Sequence, residues 1–488
     1  MPFKALALLL VLPALVACGT VGTPSTHHDN HPDDLLQALN QWSPALATND
    51  TVPADSHPDA YLVKLENPAQ AQAQALKQSP AIRAILASQG VADAAYRQAT
   101  LINNPGFSAS ALRAENSDSW KTEFGISLGI LDWLTLPMRR QLAGAELTLA
   151  RNQALQSLTD ELGGVRSAYF AAVAARHVSR QLQQTAEAAR LNAELAGQLY
   201  QAGNLAELER LRYEDANATQ QQALQQALAN ADDKLAALKR LLGLGVTEQL
   251  VIPDELPDIA ESGLMADTLQ ALLQRDEDFM TLLNQASARR PEVRLLRASR
   301  LALQQQLGLQ RQQLGMSEIG VGLITEREPD GSRASGFELD LSLPVFDRGQ
   351  HQQAISKAQL EQLSAQEAAL QLEMAHQLKT SLNNLLSLTH QATQLRDADI
   401  PRRQRMLELT LQEYNFMLTG PFELIDAKQQ ELATVVRYIG ILEQYWQEHA
   451  DLMQHTANAA EALATESDSP AQTQPPAEPD HHQEHHHD

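Results

Sequence analysis

Cysteine, aromatic residues and long apolar runs are all scarce in this chain. Cys18 is the only cysteine among 488 residues, which suits an oxidising compartment where further free thiols would be a risk. Aromatic residues make up 4% of the chain while Ala, Leu and Gln recur throughout, and this mixture favours long helices packed through small and aliphatic side chains. Beyond the N-terminal segment, no stretch is apolar over the ~20 residues that a spanning helix needs. If the mature chain crosses a membrane, it must therefore do so with β-strands.

Basic residues are also in deficit, since 37 Lys and Arg stand against 60 Asp and Glu, a formal net charge of -23. This balance argues against nucleic acid as a partner, because two polyanions repel each other. The charge has two interpretations, which are general solubility and an interior surface that favours cations. The chain also lacks a phosphate-binding Gly-rich loop, a His-Glu-x-x-His motif and a nucleophile elbow. We therefore predict that it is not an enzyme and that it holds no resident cofactor.

The first residues have the organisation of a secretory signal. Lys4 precedes an apolar run over 5–17, which is too short and too interrupted by Pro13 to span a membrane in the mature protein. The run ends in Leu-Val-Ala-Cys, which resembles a bacterial lipobox and implies cleavage before Cys18 and acylation of that residue. The alternative is a chance cysteine inside a signal peptide. Gly19, and not aspartate, follows the cysteine, which favours the outer over the inner membrane.

The chain between its two polar ends repeats itself once. Three segments recur in the same order at offsets of 211, 213 and 214 residues: 79–83 and 290–294, 124–133 and 337–346, 200–211 and 414–425. A single match would be weak evidence, but three in order indicate a duplicated unit. We divide the chain into a signal peptide (1–17), a lipidated tether rich in His and Pro (18–64), a first repeat (65–250), a second repeat (251–462) and a disordered, acidic, His-rich tail (463–488).

Each repeat has the same predicted order of elements, which makes the fold mainly α with a small β part. A helix (68–102 and 266–314) is followed by two short strands, a very long helix (138–200 and 350–413), a break and a second long helix (206–243 and 421–462). At ~1.5 Å per residue, the first long helix of each repeat extends on the order of 90 Å. Heptad-like leucines predict packing between the arms: Leu224, Leu228, Leu235, Leu238 and Leu242.

The short strands alternate between apolar and polar residues. Phe337, Leu339 and Leu341 alternate with Glu338 and Asp340. The predicted strands are 106–114, 124–130, 318–327 and 337–343. Their length and alternation fit tilted transmembrane strands, with one face on lipid and the other on a wet lumen; the alternative is a soluble hairpin packed on helices. Because four strands cannot close a barrel and an open edge cannot lie in lipid, membrane strands require that several chains share one barrel.

This order of elements resembles the TolC family of outer-membrane efflux factors over about residues 65–460. The most specific motif is LSLPVFDRGQ at 341–350, which resembles the family's signature where the last strand turns into a long helix. The resemblance implies a homotrimer in the outer membrane, with a shared twelve-strand β-barrel and a long α-helical tunnel in the periplasm. It also implies a periplasmic adaptor and an inner-membrane pump as partners, with the duct itself passive.

The resemblance also assigns roles at the tips of the two long hairpins. The implied periplasmic gate consists of Glu209, Tyr414, Glu423 and Asp426, with Tyr414 and Glu209 as a latch. The implied contacts to the adaptor are Gly203, Asn204, Met417 and Gly420, where Met417 replaces the family's tip glycine. Because positions i and i+3 share a helix face, three chains would place the carboxylates of Glu423 and Asp426 around one mouth, which attracts cations and resists closure. The alternative is an ordinary solvated helix face.

Histidine is concentrated in the two ends of the chain, where aspartates stand among it. Imidazole with carboxylate suits zinc, copper, nickel or cobalt, so the sequence predicts loosely bound, exchangeable transition metal at these residues: His27, His28, His31, His481, His482, His485, His486 and His487. The alternative is a solubilising tail. The histidines and the segment 414–431 make the chain resemble the heavy-metal branch of the family, which works with proton-driven pumps of the resistance-nodulation-division class.

Two other functions remain open on the sequence. A duct of the same fold would serve drugs, or type I protein secretion through an ATP-driven pump. A lipid-anchored coiled-coil protein would buffer metal without forming a pore. The His-rich ends disfavour the first, and the alternating strand pairs disfavour the second.

Overall fold

The computed structural model describes residues 62–113, 120–313, 319–341, 345–346 and 348–456. Cys18 and all eight predicted metal-binding histidines therefore lie outside the described residues. Within them the chain is mainly α-helical, with one four-stranded sheet and one two-stranded sheet. No described helix is long and apolar enough to cross a membrane.

The order helix, strand pair, long helix, second long helix occurs twice, as the sequence predicts. The first half contains, in order, β1 (Leu62–Lys64), α1 (Pro68–Gln78), α2 (Pro80–Ala99), β2 (Gly106–Leu112), β3 (Lys121–Gly129), α3 (Ile130–Gln201) and α4 (Glu207–Leu242). The second half contains β4 (Gln249–Val251), a 3-10 helix (Ile259–Ser262), α5 (Ala266–Gln274), α6 (Asp276–Arg289), α7 (Pro291–Gln313), β5 (Ile319–Arg327), β6 (Arg333–Leu341), α8 (Gln350–Gln394), a π-turn (Leu395–Asp399), α9 (Ile400–Asn415) and α10 (Pro421–Thr456).

Prolines explain most of the differences from the predicted helix boundaries. The helix predicted over 68–102 is divided at Ser79, because Pro80 begins a new helix and disfavours helical geometry in the residue before it. Pro291 begins α7 in the same way. The long helix predicted over 350–413 is interrupted by the π-turn just before Pro401, which has no N–H to donate to the preceding turn. Conversely, α3 begins earlier than predicted and contains Pro137.

The end of α4 packs against the start of the first half and requires a glycine there. Gly243 is left-handed (φ 76°), and the N–H of Leu244 donates to the carbonyl of Lys239 (2.9 Å). A Cβ on Gly243 would lie 2.6 Å from the carbonyl oxygen of Gln78. Any side chain would therefore separate the end of α4 from the end of α1.

The four-stranded sheet is antiparallel in the order β2-β3-β5-β6, so the two hairpins meet through β3 and β5. Aligned residues across the four strands are Phe107, Ile126, Leu323 and Phe337 on one face. The neighbouring row on the other face is Gly106, Ser127, Gly322 and Glu338. The apolar row is exposed, with Phe337 at 88% of its full accessible surface. β2 and β6 stand at the two edges of this sheet.

The main core lies where α3, α8 and α10 pack around the connector between the halves. Its fully buried side chains include Leu158, Leu162, Leu382, Leu385 and Tyr445. Two hydrogen bonds hold the connector against α10: the Trp446 indole donates to the Pro257 carbonyl (2.9 Å), and the Ser262 and Tyr445 hydroxyls are bonded (2.6 Å). Of the predicted packing leucines, Leu238 and Leu242 are fully buried at the core end of α4, while the three further from the core are half-buried.

Candidate functional site

The tip of the first hairpin is a glycine-capped helix end. The N–H of Gly203 donates to the Tyr200 carbonyl (2.9 Å), and the N–H of Asn204 donates to the Leu199 carbonyl (2.8 Å). Gly203 has φ 77°, so this is a Schellman motif with glycine at the left-handed position. The Arg210 guanidinium lies 5.0 Å from the centre of the Tyr200 ring, which joins the two sides of the turn through a cation–π contact.

The tip of the second hairpin repeats this backbone with a different residue. The N–H of Met417 donates to the Tyr414 carbonyl (2.9 Å), and the N–H of Leu418 donates to the Glu413 carbonyl (2.9 Å). Met417 has φ 60° and is the one non-glycine residue with positive φ in the described ranges. The alignment of Met417 with Gly203 is therefore correct at the level of the backbone, and the side chain adds steric strain.

Three consecutive apolar residues project from this second tip. Phe416, Met417 and Leu418 are 76%, 93% and 77% exposed, and we call them the apolar tip. Single exposed apolar residues are common on protein surfaces, whereas a contiguous apolar patch marks an interaction surface more often. The first tip offers only Ala202, Gly203 and Asn204 at the equivalent positions.

Between the two hairpins, α3, α4 and α10 line a groove of about 380 Å³. Its centre is a stacked pair of rings, Tyr213 from α4 and Phe422 from α10, with ring centroids 4.2 Å apart and planes inclined by 12°. This stack joins the first repeat to the second close to the tips. Sequence analysis missed both residues, because each lies on a different repeat and neither local pattern indicates a partner.

The structure brings three of the four predicted gate residues together in this groove. Glu209, Glu423 and Asp426 all line it. Burial raises the pKa of the Tyr213 hydroxyl, and the three carboxylates raise it further, because a phenolate beside them would face like charge. The groove also contains Arg212, which pairs with Glu209 (2.7 Å), so the three acids keep an excess of negative charge.

Two of these carboxylates have further neighbours. The Gln430 amide donates to Asp426 Oδ2 (2.8 Å). Glu423 folds back over the start of α10, with Oε2 2.7 Å from the place that a Cβ on Gly420 would occupy. Gly420, predicted as an adaptor contact, therefore also makes room for a predicted gate carboxylate.

Tyr414, the fourth predicted gate residue, lies outside the groove on the second tip, and its side chain is exposed. In the described part of this single chain, Glu209 pairs with Arg212 and not with Tyr414. The latch between Glu209 and Tyr414 stays a prediction. Among the described residues, no group of three or more His, Cys, Asp or Glu is arranged to bind a metal ion.

Comparisons with known proteins identify the fold. The model of a family described as outer membrane efflux protein matches residues 72–244. The CmeC outer membrane channel of Campylobacter jejuni has a similar structure, with a TM-score of 0.64 at 15% identity over 83% of this chain and 89% of that one. The fold is that of the outer-membrane efflux channels.

Other solved structures with this fold are equally distant in sequence. VceC of Vibrio cholerae superposes with a TM-score of 0.62 at 15% identity, covering 80% of this chain and 96% of that one. CusC, whose crystal structures concern transmembrane channel formation, superposes with a TM-score of 0.61 at 15% identity, covering 83% of this chain and 95% of that one. A sequence comparison with curated proteins finds no match. The family description itself names the outer membrane, and the efflux-channel fold is not that of an enzyme, as the sequence predicts.

Proposed function

We propose that three copies of this chain form a passive exit duct through the outer membrane. The observation that carries the proposal is the four-stranded sheet, which has an exposed apolar face and leaves β2 and β6 at open edges. Unpaired strand edges are very unfavourable in lipid, so the sheet is complete only when β2 of one copy pairs with β6 of the next. Three copies give twelve strands, which close a barrel.

The two faces of the sheet support this arrangement. Leu128, Val321 and Leu339 form a second aligned apolar row beside the row of Phe337, and all three are exposed. The opposite face carries glycine, serine and carboxylate, with Gly320 beside Asp340 and Gly322 beside Glu338. A lipid-facing outside and a small, polar inside are the pattern of a water-filled barrel.

The gate in this proposal is the groove at the hairpin tips. In the trimer, Glu209, Glu423 and Asp426 occur three times around the periplasmic mouth, where they attract cations and repel one another. Tyr414 latches to Glu209 when the mouth is closed. The partners are a periplasmic adaptor, which contacts Gly203, Asn204, Met417 and Gly420, and an inner-membrane pump of the resistance-nodulation-division class.

The cargo in our proposal is heavy-metal cations, either copper and silver or zinc, cobalt and cadmium. Its support is the concentration of histidine and aspartate at both ends of the sequence. The solved channels reported above share only 15% identity with the chain, which carries no information on cargo. Acylation of Cys18 would anchor the N-terminal end in the same membrane.

The duct is tested by isolating the protein from outer membranes and measuring conductance in planar lipid bilayers. We expect a trimer that dissociates on heating and that conducts ions through discrete channels. A monomer that stays in the aqueous phase without conductance would contradict the duct and favour the metal-buffering lipoprotein. Replacing Cys18 with Ala should abolish incorporation of labelled palmitate.

The cargo is tested by deleting the gene and measuring growth with metal salts beside dyes and antibiotics. Hypersensitivity to one or two metals, restored by the intact gene, is the expected result. Hypersensitivity to drugs with unchanged metal tolerance would reject the metal cargo and leave the duct in place.

A further inference from the structure

The first long helix of the second repeat is interrupted, whereas its counterpart in the first repeat, α3, is continuous. Between α8 and α9 the backbone forms the π-turn Leu395–Asp399, and Pro401 follows it. The equivalent stretch of α3 is regular α-helix. Short π segments inside α-helices often mark functional sites, because they locally weaken the regular hydrogen-bond ladder. Among the described helices, the π segment occurs only in the second half.

Between the π-turn and the second tip, the long helix is also more loosely packed within the chain. α9 buries none of its residues and packs mainly against α10. The equivalent part of α3 buries four residues, which are Ala186, Ala189, Asn192 and Ala196. The second arm below Leu395 is therefore held in place by less of the chain's own surface.

The partner helix has a weak position at the same height. The Arg403 guanidinium donates to Gln430 Oε1 (2.7 Å), and this antiparallel register places the π-turn opposite 434–438 of α10. Gly440 lies two residues beyond this segment, and glycine inside a helix costs about 1 kcal/mol relative to alanine. The corresponding helix of the first half, α4, contains no glycine. Both helices of the second arm are thus easiest to bend at one level.

An ion pair ties the π-turn to the rigid core. Arg396 Nη1 donates to both carboxylate oxygens of Asp258 (2.9 and 3.1 Å). Asp258 lies in the connector between Pro257 and Ser262, which are bonded to Trp446 and Tyr445 of the core. It also caps the 3-10 helix by accepting from the N–H of Ala260 (2.9 Å), so its own position is well defined.

Arg396 has a second acidic partner that does not reach the core. Its Nε and Nη2 atoms donate to Asp397 (2.7 and 3.2 Å), which lies on the π-turn itself. Of its two carboxylate partners, only Asp258 connects the turn to another part of the molecule. The side chains of Arg396 and Asp258 are 38% and 37% exposed, and such half-exposed pairs are modest in strength and break reversibly.

We propose that the π-turn Leu395–Asp399 is the hinge on which the second tip moves. In this proposal the Arg396–Asp258 pair is the clamp that stabilises one of its conformations. The role of this movement in gating rests on the proposed function, because the moving arm carries Tyr414, the apolar tip and, on α10, Glu423 and Asp426. Arg396 and Asp258 are positioning residues, which act on the gate through the direction of α9.

Amide hydrogen exchange of the purified full-length protein tests the clamp without requiring channel activity. Asp258→Asn keeps the cap acceptor but removes the charge, and Asp397→Asn removes the neighbouring charge as a matched control. We expect the amides of α9 to exchange roughly three- to ten-fold faster in Asp258→Asn and Arg396→Gln, while those of α3 over 186–201 are unchanged. Unchanged exchange in α9, or an equal effect of Asp397→Asn, would overturn the proposal.

Single-channel recording of the same variants separates the hinge from the duct. We expect a larger open fraction in Asp258→Asn, with the conductance of the open state unchanged. Channels that form and gate like wild type in Asp258→Asn would reject the role of the clamp in gating and leave the duct intact. Faster exchange in α9 with no channels in any variant would support the hinge and reject the duct.

Discussion

Met417 occupies a backbone position that its counterpart Gly203 fills without strain. A left-handed conformation costs a residue with a side chain about 1–2 kcal/mol. Glycine avoids this cost, but it makes the unfolded chain more flexible, which offsets part of the gain in stability. Because Met417 is almost fully exposed, no packing within the chain compensates for this cost. Such strain is more often retained for an interaction than for stability.

Met417→Gly is therefore expected to stabilise the isolated protein and to reduce the amount of adaptor that co-purifies with it. The expected gain is about 0.5–1 kcal/mol per chain, the difference between relieved strain and added chain entropy. Thermal unfolding in detergent measures it. Leu418→Gly is the control, because Leu418 has no positive φ to relieve; equal stabilisation by both changes would show that strain at Met417 is not the cause.

His449 on α10 is a second residue with a measurable consequence. Neither ring nitrogen has a hydrogen-bond partner in the described structure. The ring contacts Tyr445 and Trp446. Burial, with the charge of Arg166 nearby, lowers the pKa of His449 to about 3. The folded protein thus resists protonation of a side chain that the unfolded chain protonates below about pH 6.5.

We expect this histidine to make the fold sensitive to acid. Its contribution is complete above the unfolded pKa and is lost as the pH falls from about 6.5 toward 3, amounting to about 2 kcal/mol between pH 7 and pH 5. His449→Phe keeps the aromatic contacts and should reduce the loss of thermal stability over that range. His390→Phe, on the exposed surface of α8, should leave it unchanged; the same acid loss in both variants would refute the assignment.

Each strand of the four-stranded sheet has one face toward lipid and one toward the lumen in the proposed barrel. Leu323 and Ile324 are consecutive aliphatic residues of β5, yet Leu323 aligns with Ile126 and Phe337 while Ile324 aligns with Gly125 and Gly336. A charged residue on the lipid face of a barrel costs about 2–4 kcal/mol at mid-membrane for the basic side chains and less for the acidic ones. A charge on the lumen face carries no such cost.

Leu323→Asp should therefore reduce the yield of folded trimer in the outer membrane several-fold, whereas Ile324→Asp should assemble like wild type. Heat-modifiable mobility on gels reports the trimer for both variants. Equal assembly of the two would mean that the apolar face does not contact lipid, and it would favour a soluble hairpin packed on helices.

The long helices were predictable as elements, but their interruptions were only partly so. Prolines at 80 and 291 mark helix starts that the hydrophobic period alone runs through. The π-turn has no sequence pattern of its own, and it becomes visible only through its backbone. Its importance depends on Asp258, which belongs to a different half of the chain.

At the scale of the whole molecule, three carboxylates from both repeats meet in the groove at the tips. In the proposed trimer, Glu209, Glu423 and Asp426 recur around one mouth, so removing their charge should change both the ion preference and the closure of the pore. For Glu423→Gln combined with Asp426→Asn, we expect a lower cation-over-anion permeability ratio and a larger open fraction. Bilayer recordings in a salt gradient measure both, with Glu277→Gln on α6 as a control far from the groove. An unchanged permeability ratio would mean that these carboxylates are part of an ordinary solvated surface.

The sequence alone determined the duplication, the order of elements, the alternation of the strands and the equivalence of Met417 with Gly203. These are properties of residues that are close in the chain or related by a constant offset, so periodicity and alignment are sufficient to find them. The tertiary structure decided the strand order β2-β3-β5-β6, the stack of Tyr213 on Phe422 and the pair of Arg396 with Asp258. The pairing of β3 with β5, the ring stack and the ion pair each join residues separated by more than a hundred positions. Their meeting depends on how whole helices pack, which no local pattern encodes.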